Sequence, residues 1–330
     1  MRSRYLLILL MFSVWGCSSN QDADGTANDG AKKYRIAVIP KGTSHDFWKS
    51  VHFGAEKAAK ELGNVEISWQ GTADETDKEG QIKIVDTFVG RKVDGIVLAP
   101  IDRDAFVPVV KRAKQRDIPV VVFDSGLRDL TNVVSYVATD NSKGGHLAGE
   151  KMIELMDGKG GVILLRYQAG SESTEQREEG FLEEIEAADG VKVLSESQRV
   201  NSSAEEALKI AEQLLRNHKD NVTGVFTVCE PNNKGMLQAL ENLQMAGDVK
   251  FIAFDSDPRI VEGLKDGSVD GVILQDPVNM GYLAVKTMVA KLEGEEVEKR
   301  IDTGVYLVTP ENMNEEKYQK LLDPDQFEAK

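Results

Sequence analysis

The 330-residue chain holds two cysteines, Cys17 and Cys229, too few for a disulfide framework. Its four histidines, His45, His52, His146 and His218, show no metal-ligand spacing, and neither HExxH nor CxxC occurs, so no metal and no other cofactor is expected. A P-loop, a strict GxGxxG and a GxSxG elbow are missing too, and Cys229 has no identifiable histidine partner. Phosphate cradling and covalent acyl chemistry therefore have no motif to rest on, and the expectation is a non-enzyme. His45 beside Asp46 is an adjacent acid/base candidate, but neighbours that follow a strand need not face each other. Positive charge is in deficit: 40 basic against 55 acidic residues give −15, which excludes nucleic acid as a partner and suits solubility. Aromatics make up only 6% of the chain, so the adjacent pair Phe47 and Trp48 in SHDFW (44–48) stands out.

The N-terminus addresses the export of the chain. Arg2 and Arg4 precede YLLILLMFSVW (5–15), a stretch too short to span a bilayer but suited to a signal peptide over 1–16. VWGC (14–17) resembles the lipobox of bacterial lipoproteins, which implies that Cys17 becomes the lipidated first residue; plain secretion with a free Cys17 is the alternative. Residues 18–33 are small, polar and rich in Gly and Asp, the composition of a tether. The expected location is therefore periplasmic or cell-envelope, with membrane attachment only through the lipid at Cys17. A lipidated Cys17 leaves Cys229 unable to form an intramolecular disulfide, so stability must come from the core.

Beyond residue 33, short β-branched runs alternate with stretches of helical period. RIAVI (35–39), VEISW (65–69), GIVLAP (95–100) and PVVVFD (119–124) predict strands, with helices near 47–62, 77–91 and 103–116. The alternation resumes with NVVSYVAT (132–139), GVILLR (161–166), VKVLSE (191–196), GVFTVC (224–229), VKFIAFD (249–255) and DGVILQ (270–275). Near-continuous apolar runs mean strands buried on both faces, hence parallel sheets covered by helices. About ten strands exceed one comfortable open sheet, so the fold class is α/β with two doubly wound lobes. GKGG (158–161) and GGHLAG (144–149) are taken as a turn and a close helix packing.

In such sheets ligands bind beyond the carboxyl ends of the strands. This chain places Asp124, Asp140, Cys229, Glu230, Asp255, Gln275 and Asp276 at those tips. Asp140 is expected to be a helix N-cap. The remainder would converge if the lobes face each other. Carboxylates accept paired hydroxyls, an arginine fork donates to oxygens, and an aromatic face covers the C–H surface of a sugar ring. By inventory this is a sugar site.

The segments IAVIPKGTSHDFW, DGIVLAP, IPVVVFDS, VATDN, REEGF, VFTVCEPNNKG, FIAFDSDP and DGVILQDPVNMG, spread over residues 34–310, resemble the periplasmic sugar-binding proteins of the ribose and galactose type, relatives of the lactose repressor effector domain. The resemblance implies Rossmann-like lobes joined by three crossover strands, exchanging near residues 138, 275 and 305 and closing on a sugar. It divides the chain into an N-terminal lobe of 34–138 plus 276–304 and a C-terminal lobe of 139–275 plus 305–330. It also places Phe47 and Trp48 as the stacking platform, His45 as a polar contact, Asp124 as the carboxylate that holds hydroxyls, Arg177 as the clamp from the second lobe, and Asp255 and Gln275 as further hydroxyl contacts. Ser125 and Cys229 fall where ribose binders carry Arg and Asn, which puts ribose itself in doubt, and Asn201 or Ser202 stands where those proteins place a second-lobe aromatic. The implied function is a lipid-anchored, monomeric sugar receptor that serves an ABC transporter permease. A ligand-sensing receptor for a chemotaxis or two-component system is the alternative. A repressor is disfavoured by the export signal.

Overall fold

The computed structural model describes residues 32–323. The expected signal peptide, Cys17 and all but the end of the tether lie outside these residues. The chain runs through β1 (Tyr34–Ile39), α1 (Asp46–Leu62), β2 (Val65–Trp69), α2 (Lys78–Gly90), β3 (Gly95–Leu98), α3 (Val107–Lys114), β4 (Val120–Phe123) and β5 (Ser135–Ala138). It continues through α4 (Asn141–Leu155), β6 (Gly160–Tyr167), α5 (Glu172–Ala187), β7 (Val191–Ser195), β8 (Arg199–Val200), α6 (Ala204–His218) and β9 (Val222–Thr227). Then follow α7 (Glu230–Asn242), β10 (Lys250–Phe254), α8 (Pro258–Asp266), β11 (Gly271–Leu274), α9 (Pro277–Leu292), β12 (Arg300–Asp302), β13 (Tyr306–Val308) and α10 (Glu316–Leu322).

These strands form two sheets. One has the order β12-β5-β4-β3-β1-β2 and is parallel throughout. The other has the order β13-β11-β10-β9-β6-β7, with β8 added beside β6, and only β13 runs antiparallel to its neighbour. Burial explains the apolar runs: every residue of β3, β4, β5 and β11 is buried. Alternate residues feed opposite faces, so Val120 and Val122 join one apolar cluster while Val121 and Phe123 join another. The chain passes between the sheets after β5, after β11 and between β12 and β13.

Several expected boundaries moved, for local reasons. The run at 132–139 becomes a strand only from Ser135, because the Val133 amide closes a turn on the Leu130 carbonyl. The helix expected from 103 starts at Val107, because Asp102 Oδ1 accepts from the amides of Asp104 and Ala105 and holds a turn there. β8, β12 and β13 span two or three residues, too short for an apolar pattern to register.

Two close helix crossings stiffen the lobes. A Cβ on Gly54 of α1 would fall 1.9 Å from the Val278 carbonyl oxygen, and one on Gly281 of α9 would fall 2.1 Å from that of Val51. Across α4 and α5, Gly145 and Gly180 make the same approach, with a Cβ falling 2.3 Å from Arg177 O and 2.4 Å from Ser142 O. GGHLAG therefore supplies close packing, and it sets the backbone that carries Arg177.

Candidate ligand-binding site

The acidic strand tips divide into two kinds. Asp140 and Asp276 cap helices, accepting from the amides of Lys143 and Asn279 at 3.0 and 2.9 Å. Asp124 and Asp255 instead follow β4 and β10 in the left-handed region, at φ 61° and 73°, a conformation that costs a non-glycine residue about 1–2 kcal/mol. Each keeps its amide on the neighbouring strand, Asp124 to Val137 O and Asp255 to Ile273 O, so the turn starts directly at the sheet edge. Strain of this kind, repeated at matching positions of both sheets, marks a functional site.

Between the sheet edges lies a tight chamber of about 380 Å³ of empty space, its mouth included. It brings together His45, Phe47, Trp48, Asp124, Arg177, Cys229, Asp255 and Gln275. A more apolar cavity adjoins it across Phe47, Asp255 and Gln275, but convergent charge is found in the chamber.

Three ion pairs line the chamber. Lys41 Nζ lies 2.8 Å from Asp124 Oδ2, His45 Nδ1 lies 2.8 Å from Glu75 Oε1, and an Arg177 nitrogen lies 3.5 Å from Asp255 Oδ2. Arg177 is buried and fixed: Nε donates to Asn141 Oδ1 at 2.8 Å, Nη1 donates to Val228 O at 2.9 Å, and the guanidinium lies 3.8 Å over the Phe254 ring. Burial raises the Asp255 carboxyl to about 6, against the lowering pull of Arg177 and of Gln275, whose Nε2 donates to Oδ1 at 2.7 Å. For His45 burial works downward, yet the hydrogen bond and charge of Glu75 carry it to about 9. Burial would raise Glu75; His45, Lys41 and Trp48 hold it at about 2 instead. Glu230, pushed up by burial, pairs with Lys234 at 2.6 Å. Cys229 is a free thiol pushed well up by burial and by Glu75.

Phe47 and Trp48 do not form one platform. Their rings meet at 84° with centroids 4.9 Å apart, so only one of them can lie face-on to a flat ligand surface. Trp48 is 3% exposed, packs edge-on against Phe123 and donates from Nε1 to Glu75. Phe47 is half-buried and is the ring available to stack. Ser125 stands apart from the chamber as well. It is fully buried, donates to Ser173 Oγ at 3.2 Å and accepts from the Ser173 amide at 3.0 Å, so it belongs to the seam between the lobes. His45 pairs with Glu75 and leaves Asp46 to Lys49, which removes the adjacent acid/base candidate.

Sequence reasoning missed Lys41, Glu75, Tyr167 and Ser173, all of which line the chamber. Lys41 sits two residues beyond β1, a position that could have flagged it. Glu75 lies in the loop after edge strand β2 with no apolar run ending on it, and no local signal marks it. Of the buried acceptors on residues lining the chamber, two have no hydrogen-bond donor among the described residues: Gln275 Oε1, and Asp124 Oδ2, which has the Lys41 ammonium nearby but not aligned. Among the described residues no cluster of three or more His, Cys, Asp or Glu could hold a metal ion.

A family model described as a periplasmic binding protein domain matches residues 36–296. The D-ribose/D-allose-binding protein of Pseudomonas aeruginosa is 30% identical, the alignment covering 93% of this chain and 98% of that protein. An ABC transporter solute-binding protein of Agrobacterium vitis, solved with bound D-fucose, superposes with a TM-score of 0.85 at 34% identity, over 88% of this chain and 100% of the other. A carbohydrate transporter solute-binding protein of Agrobacterium radiobacter, solved with D-arabinose, gives 0.84 at 33% identity, over 88% and 99%.

Proposed function

The chain belongs to the periplasmic binding protein family, and from that premise we propose that it takes an uncharged monosaccharide or sugar-like polyol into the interlobe chamber and delivers it to an ABC transporter. The charge balance of the chamber carries the ligand class. Lys41, His45 and Arg177 each face a carboxylate, and Glu230 has Lys234, so no net charge is left for a ligand to neutralise. The wall acceptors Gln275 Oε1, which has no donor among the described residues, and Asp124 Oδ2, which has only the unaligned Lys41 ammonium beside it, suit hydroxyl donors. The neutral sugars held by the solved neighbours support the same class. The chain performs binding and no reaction.

In this reading Phe47 stacks on the ring, Asp124, Asp255 and Gln275 accept hydroxyls, and Arg177 donates from the second lobe. His45 and Trp48 hold the wall, Cys229 contributes shape, and Ser125 supports the seam. The lobes, 34–138 with 276–304 and 139–275 with 305–330, close about the three crossings, and contacts to both lobes let ligand drive that closure. Cys17, outside the described residues, is the proposed lipid attachment, with residues 18–33 as tether and the receptor a monomer in the periplasm or cell envelope.

A thermal-shift screen of the purified protein against pentoses, hexoses and polyols tests this, followed by calorimetry of each hit and of its Asp124→Ala variant. A hundredfold excess over Kd should stabilise the protein by about 2.7 kcal/mol. Folded, ligand-free protein that responds to no neutral sugar or polyol overturns the ligand class.

A further inference from the structure

Glu75 occupies a donor set that would otherwise suit an anion. Its Oε1 accepts from Trp48 Nε1 at 2.7 Å and from His45 Nδ1 at 2.8 Å, and its Oε2 accepts from the Tyr167 hydroxyl at 3.0 Å. Trp48 and His45 belong to the lobe of the first sheet and Tyr167 to that of the second, so one carboxylate spans the closed cleft. The loop that carries it is anchored on both sides: Thr72 Oγ1 donates to Lys41 O at 2.6 Å, and Gln168 Nε2 donates to Glu75 O at 2.8 Å. Glu75 and its three donors all line the ligand chamber.

We propose that Glu75 is a specificity-determining residue, a carboxylate built into the wall that fills this donor set and reserves the chamber for uncharged ligands. The proposal rests on the reading of a neutral sugar or polyol and extends it to what the site refuses. A uronate or sugar phosphate would bring a second negative charge beside Glu75, where His45 and Lys41 are already matched to Glu75 and Asp124. Such a ligand meets repulsion, and among the described residues lining the chamber Lys41, His45 and Arg177 are each already paired with a carboxylate, which is discrimination by an unfavourable contact. Truncating Glu75 leaves two N–H donors and one O–H donor converging on a space the size of one carboxylate, a ready anion site.

The test has two arms. Thermal unfolding of wild type, Glu75→Ala and the near-isosteric Glu75→Gln is followed in sodium acetate against sodium chloride at equal ionic strength, without sugar. Glu75→Ala should melt below wild type and recover by about 2 °C or more in acetate, while wild type and Glu75→Gln do not respond. A Glu75→Ala protein that folds only in acetate gives the same support. Calorimetry with D-glucuronate and D-galacturonate should then show Glu75→Ala gaining at least about tenfold in affinity over wild type. Because the acetate arm needs no sugar, it stands or falls separately from the sugar reading. Glu75→Ala that ignores acetate, or that responds to acetate without gaining uronate affinity, overturns the proposal. So does wild type that binds uronates as well as neutral sugars.

Discussion

Lys41 Nζ lies 2.8 Å from Asp124 Oδ2 with both side chains only 4% exposed, and the same ammonium donates to Ser173 Oγ at 3.1 Å across the lobe boundary. This pair ties the tip of β4 to the loop after β1 and to the opposite lobe at once. A buried pair contributes little beyond an apolar replacement, but removing one partner strands a charge at about 3–5 kcal/mol. Lys41→Met alone is expected to cost stability of that order. Lys41→Met combined with Asp124→Leu should regain much of the loss while leaving the protein unable to bind ligand. Urea denaturation of the single and double variants checks this, and purely additive losses would show that the two charges do not couple.

The His45–Glu75 pair makes stability depend on pH at both ends. Glu75 is depressed from 4.5 to about 2, so its contribution is present above pH 4.5 and is lost as pH falls toward 2. His45 is raised from 6.5 to about 9, so its contribution is full below pH 6.5 and is lost as pH rises through about 9. These limbs report one coupling read from two ends, on the order of 3 kcal/mol, and are not to be summed. A plateau between pH 4.5 and 6.5 is expected in denaturation midpoints, and Glu75→Gln should flatten both limbs.

Asp255 behaves in the opposite sense. Its folded value of about 6 exceeds the ordinary value of 3.8, so ionisation costs stability, a cost absent below 3.8 and complete above about 6. Ligand hydroxyls donating to the carboxylate favour the charged form. Affinity should therefore be about tenfold lower at pH 5 than at pH 7, and Asp255→Asn should lose that dependence. Calorimetric titrations across this range decide it.

Arg177→Lys keeps the charge but loses the fork that serves Asn141 and Val228 while lying flat on Phe254. The buried Asn141 Oδ1 and the Val228 carbonyl would compete for one ammonium. Affinity is expected to fall by about 2 kcal/mol, roughly thirtyfold, with the fold retained by circular dichroism. Unchanged affinity would remove Arg177 from the ligand site.

Two glycine substitutions should part in sign. Gly54→Ala would place a Cβ 1.9 Å from the Val278 carbonyl oxygen and force α1 away from α9, at about 1–3 kcal/mol or more. Gly90, at the end of α2, has nothing within 4 Å of its would-be Cβ, and Gly90→Ala should be neutral or stabilising by about 0.5–1 kcal/mol. Melting temperatures of the two variants measure the contrast.

By itself the sequence determined the two-lobed α/β architecture, because strands buried on both faces must be apolar along their whole length, and VVVF and GIVL carry that requirement in their composition. It also determined where polar groups would cluster, since polar residues ending such runs have only the sheet edge to occupy. The strand-tip positions of Asp124, Asp255 and Gln275 were legible on those grounds, and Arg177 was singled out only through a family resemblance. Tertiary structure decided the rest. Whether a strand-tip aspartate caps a helix, as Asp140 does, or turns left-handed beside the chamber, as Asp124 does, depends on a backbone angle that residue type leaves open. The perpendicular setting of Phe47 and Trp48 follows from Trp48 reaching Phe123 in the core and Glu75 in a distant loop. Glu75 itself is exposed-loop chemistry in the sequence and a buried carboxylate in the fold, because its donors come from both lobes.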